Sequence, residues 1–484
     1  MRRPVLRSQA WTRRLPVVLL VGMLLFTVVV WTRQPIVGAA ATPQDESRVV
    51  VPVANAEDLV DASGSGADDD KDDEGPTPAM RQNARLKPLP LQPRYYLMCR
   101  DAIGPMWIAR KGLVAAGFLE TRNVSDASVF VACNKGKMPH LMKLVYPKIL
   151  ITNILGVTKI NCIGSGKARQ YNCRRLLAKA DGCDFNDLGV SPAQYLLPDD
   201  CDKLVGKVHV PVLTKPVNGL QGRGIVFHAQ PPPLKRCLED FPDHLAQVYA
   251  KSALVDGKKF DVRTWLLVAQ VDPLMVFTAD GFSRVAGRAF SINATSNMVH
   301  ITNAAGQGQT KEHYRTFASI SESLRRFNPA VFDEQYMNTS FRAQVDRASL
   351  YVALAQFKTH YGDTKWRPRV GCYQLFGCDW VIDTVGGVHL LECNGYADQY
   401  GFDAKDGTPT WEQMMALILN LHWEPQRLFD PAANADAVKR KGVWRNGVKV
   451  VGNALIPGEF RFGKWRLILN ENVKGLKEYN ACKL

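Results

Sequence analysis

Two apolar runs near the C-terminal third set the pattern. Phe376-Gly377-Cys378-Asp379-Trp380-Val381-Ile382-Asp383 and Leu390-Leu391-Glu392-Cys393-Asn394 flank Gly386-Gly387, a strong hairpin signal. With the two glycines as the turn, Asp379 falls opposite Asn394 and Val381 opposite Glu392. Side chains alternate faces along a strand, so Asp379, Glu392 and Asn394 share one face of the hairpin. Two carboxylates and an amide oxygen form a hard-oxygen set suited to Mg²⁺ that also holds phosphates. The same pattern describes the solvated face of an ordinary hairpin.

Upstream, Tyr95–Cys99 and Val129–Cys133 read as strands and Pro105–Gly117 as a helix stopped by its glycine. Helix and strand signals interleave to about residue 430, which predicts α/β or α+β architecture. Leu213-Thr214-Lys215-Pro216 leads into a glycine-rich loop, Asn218 to Ile225, and then another strand. Such a loop lets backbone amides approach phosphate oxygens while Lys215 adds charge. It matches neither a Walker loop nor a dinucleotide fingerprint. Gln247-Val248-Tyr249-Ala250 precedes a strand, Lys258 to Val268, whose alternation puts Lys259, Asp261 and Arg263 on one face. Three charges there either pair with each other or line a polar site. Arg284 and Arg288 follow an Asp280-Gly281 turn signal, His300 reads as a core histidine, and Tyr351–His360 reads as helical.

Charge changes the picture at the two ends. The net charge of +15 points to an acidic partner. Residues 1–14 carry Arg2, Arg3, Arg7, Arg13 and Arg14 and no acid, and Leu15–Thr32 carries no charge at all. That uncharged run spans about 27 Å as a helix, enough for a thin bilayer. It predicts a signal anchor at 15–32 with the arginines cytosolic and the rest of the chain lumenal, a type II single-pass arrangement. A mitochondrial presequence is the lesser alternative. Residues 33–94, with the acidic run Asp68–Glu74 and a proline-rich end, read as a disordered linker. The tail, 431–484, is basic with interleaved Trp444, Phe460, Phe462 and Trp465. It is compatible with acidic-peptide or RNA binding and equally with a solvated extension. The 11 cysteines form no CxxC pair, which argues against a zinc module or a small disulfide scaffold.

These segments occur together and in order: Lys215-Pro216 with Gly222-Arg223-Gly224-Ile225, Gln247-Val248-Tyr249, Lys259-Phe260-Asp261-Val262-Arg263, His300-Ile301-Thr302-Asn303, Phe376-Gly377-Cys378-Asp379, and Leu391-Glu392-Cys393-Asn394. The ordered set resembles the tubulin–tyrosine ligase-like family of the ATP-grasp superfamily over about residues 95–430. Ser191–Pro198 is similar to the family's segment before the lysine strand.

The resemblance implies an α+β, ATP-grasp-like fold with ATP between two α+β lobes. It implies nucleotide contacts from Lys215, Gly222, Gly224, Ile225, Gln247, Tyr249, Ala250, Lys259 and Asp261, with Lys167 as a weaker match. It further implies Mg²⁺ on Asp379, Glu392 and Asn394, and catalytic arginines, Arg263 and Arg284, facing the carboxylate substrate. The implied function is an ATP- and Mg²⁺-dependent protein–amino-acid ligase forming an amide bond through an acyl phosphate. A free amino acid is the co-substrate and an acidic protein the acceptor, with tubulin tails first in view. No nucleic acid is expected. A lumenal ligase domain conflicts with a cytosolic tubulin substrate. Ala304-Ala305-Gly306-Gln307 and Gly395-Tyr396-Ala397-Asp398 depart from the family's common sequence. They motivate an alternative, a membrane-tethered binding module with a vestigial ATP site.

Overall fold

Tyr95 and Leu97 are buried while Arg94 and Tyr96 are not, the period-two pattern of β1 (Arg94–Leu97). The computed structural model describes residues 92–98, 105–131, 151–153, 162–164, 166–219, 222–294, 296–303, 313–361, 371–395, 404–422 and 455–484. Helix α1 (Pro105–Ala115) follows β1 and gives way to Gly117, whose φ of 82° turns the chain toward β2 (Leu119–Glu120). With β3 (Val129–Val131) and β4 (Ile151–Thr152) these strands form a parallel sheet in the order β2-β1-β3-β4.

After helix α2 (Lys167–Asp181), a second sheet forms from β5 (Gln194–Leu197), β6 (Val212–Pro216), β7 (Val226–His228) and β8 (His244–Val248). Its order is β5-β8-β6-β7, all antiparallel. Helices α3 (Cys201–Lys207) and α4 (Leu234–Asp240) pack together beside it.

The third sheet has eight strands. It contains β9 (Leu254–Val255), β10 (Lys258–Val271), β11 (Leu274–Val285), β12 (Tyr314–Arg315), β13 (Gln374–Ile382), β14 (Val388–Asn394), β15 (Arg461–Phe462) and β16 (Trp465–Asn470). The main path runs β14-β13-β10-β11-β16-β15. Phe260, Val262, Leu266 and Val268 of β10 enter one core with α2, α6 (Phe317–Phe327) and α7 (Ser340–Tyr361). Trp265, Leu267 and Ala269, of opposite parity, enter a second core with α1 and α8 (Ala404–His422). The short helix α5 (Asn297–His300) lies between β11 and β12. Mixed helices and sheets in this order make the fold α+β, as expected.

Three sequence expectations need correction. Gly386-Gly387 is not a two-residue turn. The connection runs Asp383–Gly387: Asp383 Oδ1 accepts from the Val385 and Gly387 amides at 2.9 and 2.7 Å, and only Gly386 takes positive φ. A two-residue type I′ turn would require positive φ at both glycines. Asp379 therefore pairs with Glu392 rather than Asn394, Gly377 with Asn394, and Val381 with His389. Secondly, Asp280-Gly281 lies inside β11, and the real turn between β10 and β11 is at Asp272-Pro273. Thirdly, the basic tail is not a free extension where it is described. Trp465–Asn470 pairs with β11, and Leu455, Phe460, Phe462, Trp465 and Leu467 are core residues.

Cysteine spacing gave no hint of disulfides, yet four join described residues: Cys162–Cys173, Cys183–Cys482, Cys201–Cys237 and Cys378–Cys393. No helix among the described residues is long and apolar enough to cross a membrane. The candidate anchor at 15–32 and the linker through residue 91 lie outside them.

Candidate nucleotide and metal site

Two β-bulges aim the site. On β11, Met275, Phe277 and Ala279 face the α8-side core, whereas Leu274 and Val276 face the other. Regular alternation would send Arg284 with the second set. Gly281 is instead skipped in the pairing with β10, so that Phe282 meets Arg263 and Arg284 meets Asp261. A Cβ on Gly281 would stand 2.4 Å from the Arg263 carbonyl oxygen, so the bulge requires glycine. On β14, Val388 and Leu390 face the α7-side core, and alternation would put Glu392 there too. Leu391 is skipped, Trp380 pairs with Leu390, and Asp379 pairs with Glu392. Each bulge turns one charged side chain toward the face where Lys259, Asp261 and Arg263 of β10 already lie.

The result is a cleft of about 690 Å³. Its wall includes Lys215 from the second sheet, Gly222 and Ile225 from the β6–β7 connection, Lys259, Asp261, Arg263, Arg284, Asp379, Glu392 and Asn394 from the third sheet, and Lys167 at the start of α2. Of the residues expected from sequence, Gly224, Gln247, Tyr249 and Ala250 do not line it. Gln247 stands behind Lys215, accepting from its Nζ at 2.5 Å. Tyr249 presents its ring to Lys259 Nζ at 3.9 Å and its hydroxyl to His300 Nδ1 at 2.8 Å. Arg288, on the same stretch as Arg284, is exposed and outside the cleft. The reading of His300 as a core histidine holds. It is buried and stacked on Phe227, and its Nε2 meets the Ala294 carbonyl at 2.6 Å. A carbonyl only accepts, so Nε2 carries the proton and Nδ1 accepts from Tyr249.

The charged row on β10 pairs across strands rather than along one. Arg263 donates Nε and Nη2 to the two oxygens of Asp379, both at 2.7 Å. Arg284 bridges Asp261 at 2.8 Å and Asp379 at 3.0 Å. Thr302 donates to the other Asp261 oxygen. Burial alone would push the Asp379 carboxyl up, but the Arg263 and Arg284 guanidiniums hold it below the usual carboxylate range. Around this neutral quartet, positive charge dominates: Lys167, Lys215, Arg223 and Lys259 face a single further acid, Glu392. Burial lowers Lys215 to about 8, and burial with repulsion from Lys215 lowers Lys259 to about 7. Lys215 spends one N–H on Gln247.

Glu392 is held loosely, by Asn394 Nδ2 at 3.4 Å and Lys167 Nζ at 3.9 Å. Among the described residues no three His, Cys, Asp or Glu side chains converge on a metal cage. Two carboxylates and an amide oxygen fit Mg²⁺, which typically takes one or two carboxylates and completes its shell with phosphates and water. The donor set suits that ion when a phosphorylated ligand accompanies it.

The family model described as the tubulin-tyrosine ligase family matches residues 155–426, more than half of the chain. The chain belongs to that family. Its relatives include protein polyglycylase TTLL10 of Macaca fascicularis, 27% identical over 209 residues, which is 38% of this chain and 33% of the relative. Tubulin polyglutamylase TTLL13 of Homo sapiens is 34% identical over 197 residues, 38% of this chain and 24% of the relative. Inactive polyglycylase TTLL10 of Homo sapiens is 26% identical over 203 residues, covering 38% and 30%. The chain thus spans about a third or less of these relatives' lengths. The family-matched region contains both bulged strands and every cleft residue named above. The strand β16, which completes the sheet beside β11, lies beyond it.

Proposed function

We propose that this tubulin-tyrosine ligase family member is an ATP- and Mg²⁺-dependent ligase of ATP-grasp type that joins an amino acid to a carboxylate of an acidic polypeptide. The observation that carries the reading is the cleft's charge arrangement. Four cations surround a neutral Asp–Arg lattice, and one loosely held acid, Glu392, stands beside Asn394. That excess suits a triphosphate, and the acid–amide pair suits its metal.

A carboxylate oxygen of the acceptor attacks the γ-phosphorus of ATP, and ADP leaves. The resulting acyl phosphate is attacked at carbon by the amino group of the incoming amino acid. An amide forms, phosphate departs with the acyl oxygen, and the amine loses a proton. Lys215 and Lys259 bind phosphate oxygens from the floor of the cleft, and Lys167 does so from the α2 end. Gly222 and Ile225 cover the phosphates from the β6–β7 loop. Gln247 and Tyr249 act one step back, positioning Lys215 and Lys259. Arg284 and Arg263, fixed by Asp261 and Asp379, hold the acceptor carboxylate at the reacting end. Mg²⁺ on Glu392, Asn394 and Asp379 would supply charge compensation for phosphoryl transfer. Tubulin, which several relatives' names specify, is the first acceptor to try.

The test is incubation of the full chain with ATP, Mg²⁺, tubulin and labelled glutamate, glycine or tyrosine. Incorporation into the acceptor is expected. Folded chain that binds ATP yet transfers none of the three would eliminate tubulin as acceptor.

One observation favours a second reading, a binding module with a vestigial site: both oxygens of Asp379 are already taken by guanidinium groups. Calorimetric titration separates the two. MgATP binding in the micromolar range opposes the binding-module reading, and no binding supports it.

A further inference from the structure

Eight of the cysteines among the described residues form four disulfides. Cys162, Cys173, Cys201, Cys237, Cys378 and Cys393 are themselves buried. Folding must therefore bring these thiols together before they are sealed inside. Cys183–Cys482 closes a separation of 299 residues and ties the C-terminal segment to the end of α2. Cys201–Cys237 staples α3 to α4, and Cys378–Cys393 crosses β13 and β14 beside the two cleft acids. A cytosolic thiol pool keeps such cysteines reduced, whereas a secretory or extracellular setting keeps them paired.

An independent feature points the same way. The chain carries three Asn-x-Ser/Thr triplets, Asn123-Val124-Ser125, Asn293-Ala294-Thr295 and Asn338-Thr339-Ser340. Such a triplet accepts a glycan only where its asparagine reaches solvent. Asn123, Asn293 and Asn338 are all exposed, on three separate connecting segments outside the cleft. The Arg-rich stretch before uncharged Leu15–Thr32 would deliver the following residues to the same lumenal side.

We propose that the domain matures in an oxidising, glycosylating compartment, with N-linked glycans on Asn123, Asn293 and Asn338. In each disulfide two thiols lose two electrons and two protons to a protein-disulfide oxidant, which leaves as its dithiol. At each asparagine the side-chain nitrogen bonds to the anomeric carbon of a lipid-linked oligosaccharide. The lipid pyrophosphate leaves, and the nitrogen loses one proton. A consequence, which rests on the ligase reading, is that the acceptor met in the cell is an acidic polypeptide of that compartment, while tubulin remains the acceptor to try with the isolated chain.

The test is expression of the full chain in eukaryotic cells. It combines peptide N-glycosidase digestion with disulfide mapping of protein alkylated before lysis. Neither readout requires turnover, so failure of the ligase reading leaves this test intact. Enzymatic deglycosylation should shift mobility in discrete steps, one lost with each of Asn123→Gln, Asn293→Gln and Asn338→Gln. Ser125→Ala, Thr295→Ala and Ser340→Ala should remove the same steps without touching the asparagines. Linked peptides should appear for Cys183–Cys482 and Cys378–Cys393. A glycan at any one position supports the compartment, and a position without one is struck from the proposal. Disulfides with no glycan anywhere overturn the modification sites. Alkylation of all eight thiols overturns the compartment.

Discussion

Asp379 and Glu392 face each other across β13 and β14 because Leu391 is left out of the ladder. Val388 and Leu390 are buried in the α7-side core, and unbroken alternation would carry Glu392 into it. Deleting Leu391 should make Leu390 and Glu392 neighbours, so that regular alternation keeps Glu392 opposite Asp379 on the cleft face without a bulge. MgATP binding, read by calorimetry, should survive the deletion. A deletion variant that folds by circular dichroism yet loses MgATP binding would show that the bulge's own geometry, beyond the facing it sets, is needed at the site.

The two facing acids should respond differently to neutral isosteres. Glu392→Gln keeps the side-chain volume at a half-exposed position, so stability should stay within about 1 kcal/mol. Turnover should fall at least about 10³-fold, because the amide is a poor ligand for a hard cation and charge on the transferring group goes uncompensated. Asp379→Asn takes the bidentate carboxylate from Arg263 and one bridge from Arg284. Removing one partner of such a buried cluster costs about 3–5 kcal/mol. This variant should lose stability as well as turnover. Val381→Ile, opposite His389 on the same strand, should leave both within a fewfold. Measured turnover above about a tenth of the parent for Glu392→Gln in folded protein would remove the metal site.

Gly281→Ala tests the second bulge. The new methyl carbon would meet the Arg263 carbonyl oxygen at 2.4 Å, so the β10–β11 pairing must open. Strain of this kind costs about 1–3 kcal/mol. The larger effect should be on activity, since the same movement shifts both Arg263 and Arg284. A KM for the acceptor that rises while ATP affinity changes little would assign the arginines to the carboxylate end. Equal loss of both would assign them to the nucleotide.

Much of this was legible in the sequence, and the failures have physical causes. Alternation along Lys258–Val268 is intact through Lys259, Asp261 and Arg263, so their common face was readable. The shared face of Asp379, Glu392 and Asn394 was reached from a wrong register. The five-residue Asp383–Gly387 connection and the Leu391 bulge each displaced the pairing, and together they still left the three on one side. Asp280-Gly281 carries a turn signature because a bulge also needs a residue without a Cβ. Tyr249 and Gln247 sit beside the lysines in space, and one residue's step along a strand does not encode whether a side chain forms the cleft wall or the layer behind it. Disulfide connectivity does not follow from spacing. The pairing of β16 with β11 joins residues far apart in the chain, which local pattern does not encode.

The Cys378–Cys393 disulfide should hold the facing acids in register. Its chain separation is 15 residues, for which the loop-entropy estimate is about 3 kcal/mol. The double variant Cys378→Ser, Cys393→Ser should lose roughly that much on chemical denaturation. It should also lose more MgATP affinity than the corresponding double variant of Cys201–Cys237, which lies away from the cleft. Equal losses of affinity would mean that the cross-strand bridge serves stability alone.

The buried lysines make nucleotide binding depend on pH in a definite direction. Lys259 is lowered to about 7 and Lys215 to about 8, against an ordinary lysine value of 10.5. Both are held down by burial, with Lys215 repelling Lys259 and Glu392 and Asp379 partly offsetting the effect at Lys215. In the unfolded chain each titrates near about 10.4. Between that value and about 7 the unfolded state binds more protons, so stability of the ligand-free protein rises with pH across this window. It is lost as pH falls through the folded value. Lys259→Met should therefore unfold at higher temperature than the parent at pH 7, with the gain vanishing near pH 10. Phosphate oxygens reverse the balance, since they favour the charged amines. MgATP binding at pH 8 should take up protons, visible as a dependence of the calorimetric heat on buffer ionisation enthalpy. Affinity should be greatest at or below about pH 7 and fall toward pH 9, by about tenfold per unit for each lysine already neutral in the free protein. Lys259→Met should lower affinity and flatten that slope by one lysine's share. Affinity that stays level from pH 7 to 9, with no proton uptake, would show that neither lysine meets the phosphates.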